Sequence, residues 1–311
     1  MTGRIVVLTG GVGGAKLVLG LCRTVKPEQV TAIVNTGDDF DHLGLAISPD
    51  IDTLLYTLSG KANAEQGWGR ENESWGFMTA LRELGGDDWF QLGDGDLALH
   101  VLRTMRLRAG EPLSRITADF ARAWGVGAEI LPMSDDRVAT IVASDEGELS
   151  FQTYFVERRC APKVEAIRFD GAATARAAPG VVDAILDPST EAILIAPSNP
   201  YLSVDPILAV SEIRSALERR TAPAVAVSPI VGGKAVKGPT AKLMSELGIP
   251  VSPLAVAAHY RGLIDAMLVD ERDNALPAGI VAVAADTLMV TAADRVRVAE
   301  ASLALARRVR R

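Results

Sequence analysis

Five short apolar runs, at 4–9, 30–34, 192–196, 223–228 and 279–284, alternate with stretches whose apolar residues recur at helical spacing. Short buried strands separated by helices favour crossover connections over hairpins, so the pattern predicts an α/β fold with a doubly wound, mostly parallel sheet. Four of the runs end in residues that are not mere spacers: Gly10 to Gly14, Asn35 to Asp41, Pro197 to Pro200, and Ser228 to Lys234. In open α/β sheets ligands bind outside the carboxyl ends of the strands, so these four loops are expected to converge on one crevice.

The first loop reads Gly10-Gly11-Val12-Gly13-Gly14-Ala15-Lys16. Glycines let backbone N–H groups approach an anion closely, and the helix that follows aims the positive end of its dipole at the same place. An anionic phosphate ligand is the natural guest, although a tight turn packing helix on strand calls for glycine too. Two familiar phosphate motifs fail on spacing. A dinucleotide fingerprint starting at Gly11 would need its third glycine where Lys16 stands, and a Walker loop needs Ser or Thr where Leu17 follows Lys16.

A second loop, Asn35-Thr36-Gly37-Asp38-Asp39, is acidic, and Asp41, Asp50 and Asp52 follow within fifteen positions. Ser48-Pro49 is the signature of a helix start, with a hydroxyl cap and proline in the first turn. Carboxylates there favour the helix dipole, and they could equally hold a hard divalent cation against a phosphate carried by the glycine loop. Magnesium is the expected metal.

The segment 61–189 breaks the strand and helix alternation. Helices are expected around 74–84, 94–108 and 113–124, then a hairpin-like pair at 137–144 and 148–156. The chain therefore divides into a core, 1–60 with 190–311, and a mostly helical inserted subdomain with a β-hairpin, 61–189, that caps the site. The closing 294–311 reads as a surface helix with basic residues near its end.

A net charge of −7 argues against a nucleic-acid partner, which would need a basic face. Cys22 and Cys160 are the two cysteines and lie far apart, so neither a disulfide framework nor a thiolate metal site is indicated. No apolar run approaches the roughly 20 residues of a membrane span, and the chain reads as cytosolic. His42, His100 and His259 lack metal-ligand spacing and read as structural or solvent-facing. No serine sits in a nucleophile elbow. Trp68 and Trp75 are notable in a chain with 5% aromatic residues, either covering a planar ligand or anchoring the insertion. Asp94 could cap the helix that follows it, with Asp96 or a neighbour left for ligand.

Taken together, the glycine loop, Asn35 to Asp39, Ser48-Pro49-Asp50-Ile51-Asp52-Thr53, Trp68-Gly69 and Asn72-Glu73-Ser74-Trp75 resemble the 2-phospho-L-lactate transferase family. Leu131 to Asp136, Ala196 to Pro200, Val227 to Ile230 and Asp286 to Met289 extend the resemblance, in order, over nearly the whole chain. It implies a Rossmann-like core, Mg²⁺ dependence, a homodimer, and transfer of a phosphorylated three-carbon acid from a guanosine diphosphate conjugate to the deazaflavin Fo, with release of GMP. The acid could be 2-phospho-L-lactate, phosphoenolpyruvate or a phosphoglycerate.

Carried over by motif, Asp38 and Asp52 are the catalytic candidates, and Asp38, Asp39 and Asp52 the metal candidates, with Asp50 close behind. Asn35, Asp50, Asp52, Trp68, Asn72, Trp75 and Gln91 would line the acceptor side. Gly11, Gly13, Gly14 and Lys16 would hold the diphosphate, and Ser198, Asn199, Ser228 and Gly233 would serve the guanosine. Gln91 and Gly95 depart from the pattern, which often places a basic residue at the first position and arginine at the second.

The rival readings are a non-catalytic, nucleotide-sugar-binding regulator resembling the gluconeogenesis-factor-like proteins, and an NAD-dependent oxidoreductase. The tryptophan segment and Leu131 to Asp136 favour the transferase, and the failed fingerprint disfavours the oxidoreductase. Read as a surface carboxylate in a cleft, Asp52 is expected on change to Asn to lose turnover while leaving the fold largely intact.

Overall fold

A computed structural model describes residues 3–63, 69–236, 238–273 and 275–310. In the amino-terminal part, β1 (Arg4–Thr9), α1 (Gly11–Thr24) and β2 (Val30–Val34) lead to a small hairpin, β3 (Phe40–His42) and β4 (Leu45–Ile47), and to α2 (Pro49–Leu58). Next come α3 (Gly76–Glu83), α4 (Asp94–Arg108), α5 (Leu113–Ala123), β5 (Glu129–Pro132), β6 (Ala139–Ser144), β7 (Gly147–Ser150) and β8 (Val164–Asp170). The carboxyl-terminal part runs α6 (Val181–Leu186), β9 (Thr190–Ile195), α7 (Asp205–Ala209), α8 (Ser211–Arg219), β10 (Ala224–Val227), β11 (Ile230–Val231) and β12 (Lys234–Ala235). It closes with α9 (Thr240–Glu246), α10 (Pro253–His259), β13 (Ala266–Asp270), β14 (Val281–Ala285) and α11 (Ala292–Val309).

Seven strands form the central sheet in the order β14-β13-β10-β9-β1-β2-β5, and every neighbouring pair is parallel. From β1 the chain builds outward through β2 and β5, then returns to the other side of β1 and builds outward through β9, β10, β13 and β14. The direction reverses between β1 and β9, and that switch point is where the two neighbouring loops part and leave a crevice. The inner strands are buried on both faces, while β14 at the edge is partly exposed. In β1, Ile5 and Val7 enter a core with α1, α2 and α11, while Val6 and Leu8 enter the opposite core with α6, α7 and α8.

Four expectations from the sequence are corrected. β5 lies inside 61–189 yet pairs with β2 as an edge of the central sheet, so that segment is not wholly a cap; four residues stopped by Pro132 are too short a run to stand out. The run 148–156 does not stay extended: β7 ends at Ser150 and Thr153–Glu157 wind into a helical turn, while β8 supplies a third strand beside β6. The closing helix is not superficial, since Val298, Ala299, Leu303, Leu305 and Ala306 are buried against the sheet. Ser48 begins α2 but makes no side-chain cap; its hydroxyl donates to Asp39 Oδ2 instead.

Candidate active site

At the switch point the loops after β1, β2, β9 and β10, together with Thr287 to Met289, surround a cleft of about 670 Å³. The glycine loop meets the Pro197 to Asn199 loop so closely that a Cβ on Gly13 would stand 2.9 Å from the Pro197 carbonyl oxygen. Ser198 fastens the two, its hydroxyl donating to the Gly10 carbonyl (2.7 Å) while accepting from the Gly10 N–H (3.2 Å). Gly11 donates to Asp50 Oδ1 at 2.6 Å. Two of the loop amides are thus spent inside the protein, and those of Val12 and Gly13 open the first turn of α1, where a helix has no acceptor of its own. Gly14 packs against Thr9 and Ser198 and does not line the cleft. Lys16 Nζ reaches the Met289 carbonyl at 2.7 Å, tying α1 to the far rim.

Beside the loop lies an acidic cluster organised by Asn35, which is fully buried. Its Nδ2 donates to Asp38 Oδ1 and, at 3.0 Å, to Asp50 Oδ2, while its Oδ1 accepts from the Gly37 N–H. Burial pushes the Asp38 carboxyl well above the usual range, helped by the charges of Asp50 and Asp39, and burial lifts Asp50 to about 6. Asp39 is raised as well by burial, and its Oδ1 has no hydrogen-bond partner among the described residues. Buried carboxylates crowded in this way fit a hard divalent cation. Among the described residues no three His, Cys, Asp or Glu side chains form a cage for a metal ion, so a bound Mg²⁺ would rest on Asp38 and Asp50, with ligand oxygens completing its shell.

Asp52 belongs to a different group. Arg103, 1% exposed, holds both of its oxygens, with Nη1 at 3.1 Å from Oδ2, and His100 Nδ1 stands 3.6 Å from Oδ2. Burial by itself would lower the Arg103 pKa, but the Asp52 carboxylate outweighs it and raises it. Asp96 lies 3.2 Å from His100 Nε2 and accepts from the Tyr56 hydroxyl. Asp52 is therefore an interior ion-pair partner at the cleft wall, not a surface carboxylate, which corrects the ground on which the fold was expected to tolerate Asn there.

The remaining candidates scatter. Gln91 lines the cleft, accepting from Arg82 Nη2 at 2.9 Å. Asn199 and Ser228 line it too; Asn199 Oδ1 caps the turn through Tyr201 and Leu202, and its Nδ2 is buried without a partner among the described residues. Gly233 sits at an exposed hairpin tip, its N–H on Asp273 at 2.7 Å, away from the cleft lining. Asn72 is exposed in a turn with φ of 57°, and Trp75 packs on a satellite core of Ile47, Met78 and Leu92. Trp68 lies outside the described residues. Asp94 caps α3, not α4, accepting from the Gly76 and Phe77 amides at 3.0 Å each. A Cβ on Gly95 would overlap the guanidinium of Arg70, which pairs with Glu73.

The reading of the sequence missed the aromatic walls. Trp89 and Phe90 meet edge to face at 5.7 Å, Phe151 and Phe155 stack at 5.3 Å, and all four line the cleft. The adjacent pair Trp89-Phe90 was the available signal in an aromatic-poor chain. His100 was read as structural, and the structure places it, buried, in the cleft wall.

Known proteins resemble this chain. A phosphoenolpyruvate transferase of Kitasatospora aureofaciens is 43% identical over 99% of both chains. A 2-phospho-L-lactate transferase of Methanopyrus kandleri is 42% identical over 95% of both. A crystal structure of a UPF0052-family protein from Bacillus halodurans superposes with a TM-score of 0.63 at 19% identity, covering 97% of this chain and 99% of that one, and shows the common fold. Residues 5–304 match the family described as 2-phospho-L-lactate transferase CofD. With motifs, cleft and near full-length relatives in agreement, the chain belongs to the 2-phospho-L-lactate transferase CofD family.

Proposed function

We propose that this enzyme transfers a phosphorylated three-carbon acid from its guanosine diphosphate conjugate to the terminal ribityl hydroxyl of Fo, releasing GMP, as a step of coenzyme F-420 biosynthesis. The observation that carries the reading is the meeting, in one cleft, of the first-turn amides of α1, the Asp38 and Asp50 pair under Asn35, and two aromatic walls. The diphosphate lies along the glycine loop, and the flat deazaflavin between aromatic faces. Mg²⁺, when bound at Asp38 and Asp50, supplies charge neutralisation at the phosphoryl oxygens.

The hydroxyl oxygen forms a bond to the phosphorus bearing the acid as the bond from that phosphorus to the GMP oxygen breaks. The hydroxyl proton passes to a carboxylate of the cleft, for which Asp38 and Asp52 are the candidates. Positioning and fixed dipoles supply most of the rate in such a transfer.

The relatives' names divide between phosphoenolpyruvate and 2-phospho-L-lactate at nearly equal identity, so the assay offers both, and phosphoglycerate beside them. Protein, Fo, Mg²⁺, GTP, each acid and a guanylyltransferase that forms the conjugate are incubated and the products weighed by mass spectrometry. A mass equal to Fo plus the phosphoacid less one water, with GMP released, is the expected result. Tight binding of the nucleotide conjugate without product from any acid would replace the transferase by a regulator.

A further inference from the structure

Asp270 to Asp273, the turn after β13, does not line the cleft, yet it is fastened to two segments that do. Asp270 is fully buried. Its Oδ2 accepts from the Thr287 N–H and from the Thr287 hydroxyl, at 2.9 Å each. Arg272 grips the same carboxylate, with its N–H 3.0 Å from Oδ1 and Nη1 2.9 Å from Oδ2, and Nη1 also reaches Asp286 Oδ1 at 3.0 Å. Burial alone would raise the Asp270 carboxyl, but the donors of Thr287 and Arg272 outweigh it and hold it below the usual carboxylate range. At the other end of the turn, Asp273 Oδ1 accepts from the Gly233 N–H at 2.7 Å, which ties down the tip of the β11 and β12 hairpin.

Those two segments have little else to shape them. The β13 and β14 ladder ends at Asp270 and Ala285. Thr287 to Met289 run beyond it and take their course from side chains: Asp270 on Thr287, Arg297 Nη2 on the Leu288 carbonyl at 3.0 Å, and Lys16 Nζ on the Met289 carbonyl. β11 and β12 are two residues each, too short to hold a shape alone. Ser228 and Val231 before the hairpin tip and Val236 after it line the cleft. Both segments lie on the β9 side of the switch point, with β10, β13 and β14. A buried carboxylate is costly unless its oxygens are supplied with donors, and here two of the donors belong to the cleft rim itself.

We infer that Asp270 and Asp273 are positioning residues for the nucleotide end of the donor: they set the Thr287 rim against the β11 and β12 hairpin, and so the grip on a nucleoside diphosphate that neither of them touches. This rests on the transferase reading, which seats the guanosine diphosphate conjugate on that side of β1. The acceptor end, walled by α2, α4 and the Trp89-Phe90 pair, receives no hydrogen bond from the turn among the described residues. Loosening the turn therefore weakens nucleotide binding and spares the acceptor.

The test compares the wild type, Asp270→Asn, Asp273→Ala and Asp273→Asn as whole proteins in buffer containing Mg²⁺. GDP is titrated by calorimetry and Fo by fluorescence, beside a thermal melt of each variant. Asp270→Asn and Asp273→Ala are expected to weaken GDP by about tenfold, within the range of substitutions that act on a site without touching its ligand, and to leave the affinity for Fo unchanged. Asp273 sits in a half-buried turn, so Asp273→Ala is expected to keep the wild-type melt, and it carries the test should Asp270→Asn fail to fold. Asp273→Asn keeps an acceptor for the Gly233 N–H and is expected to restore the wild-type affinity for GDP. An unchanged GDP affinity in Asp273→Ala, or an equal loss of GDP and Fo, would overturn the inference and leave the transferase reading standing. A wild type that binds no GDP would overturn that reading, and the inference with it.

Discussion

Asp38, Asp50 and Asp52 sit within fifteen positions, and each is buried, yet they have different work. Asp38 and Asp50 share the Asn35 Nδ2 donor, with the Gly11 N–H also on Asp50, and among the described residues no ion pair joins either. Asp52 is neutralised by Arg103, fifty-one positions away. Replacing Asp52 by Asn would leave the Arg103 guanidinium buried with its partner charge removed, a loss of about 3–5 kcal/mol for such pairs. Urea denaturation followed by circular dichroism should show the midpoint fall by a corresponding amount. An unchanged midpoint would mean the pair does not support the fold. Residue types and loop positions were readable from the chain; which carboxylate faces which cation was not, because that depends on how α2 meets α4.

The glycine loop shows at the level of elements how a motif can be legible while the reason for each glycine is not. Gly11 enters α1 with φ of 63° and open space around its Cβ position, so Ala there is expected to cost about 1–2 kcal/mol of backbone strain. Gly14 is the reverse case. It is helical, and Ala would gain up to about 1 kcal/mol in propensity, but a Cβ would overlap Thr9 Oγ1 and come within 2.8 Å of Ser198 Oγ. Overpacking of about 1–3 kcal/mol should outweigh the gain, and thermal denaturation of Gly14→Ala should show a lowered midpoint; a raised one would show that Thr9 and Ser198 can retreat. Boundaries of α4 and α5 were visible in the sequence because helical periodicity is local. The turn at 153–157 was not, since its residues alternate like a strand until Phe151 and Phe155 find each other.

Across the whole molecule, the carboxyl ends of a parallel sheet gather charge that the fold itself does not balance. Asp38 and Asp50 have folded pKa values raised above their unfolded ones, so between the ordinary carboxylate range and about 6 the folded state binds more protons than the unfolded state. Stability is then expected to fall as pH rises through that window. Mg²⁺ bound at Asp38 and Asp50, as proposed, would compete with those protons. At about 100 times its dissociation constant it should add about 2.7 kcal/mol near pH 8, and much less near pH 4.5. Calorimetric melts with Mg²⁺ and with chelator would check it, and a stabilisation equal at both pH values would place the ion elsewhere. The sequence by itself determined the parallel sheet, its loops and the family, because apolar runs, glycines and motifs act over a few neighbouring residues. Only the tertiary structure decided that β5 closes the sheet edge, that Trp89 and Phe151 face one cleft, and that Asn35 joins Asp38 to Asp50 while Arg103 claims Asp52. Those outcomes depend on packing angles between elements distant in the chain, and local pattern carries no information about them.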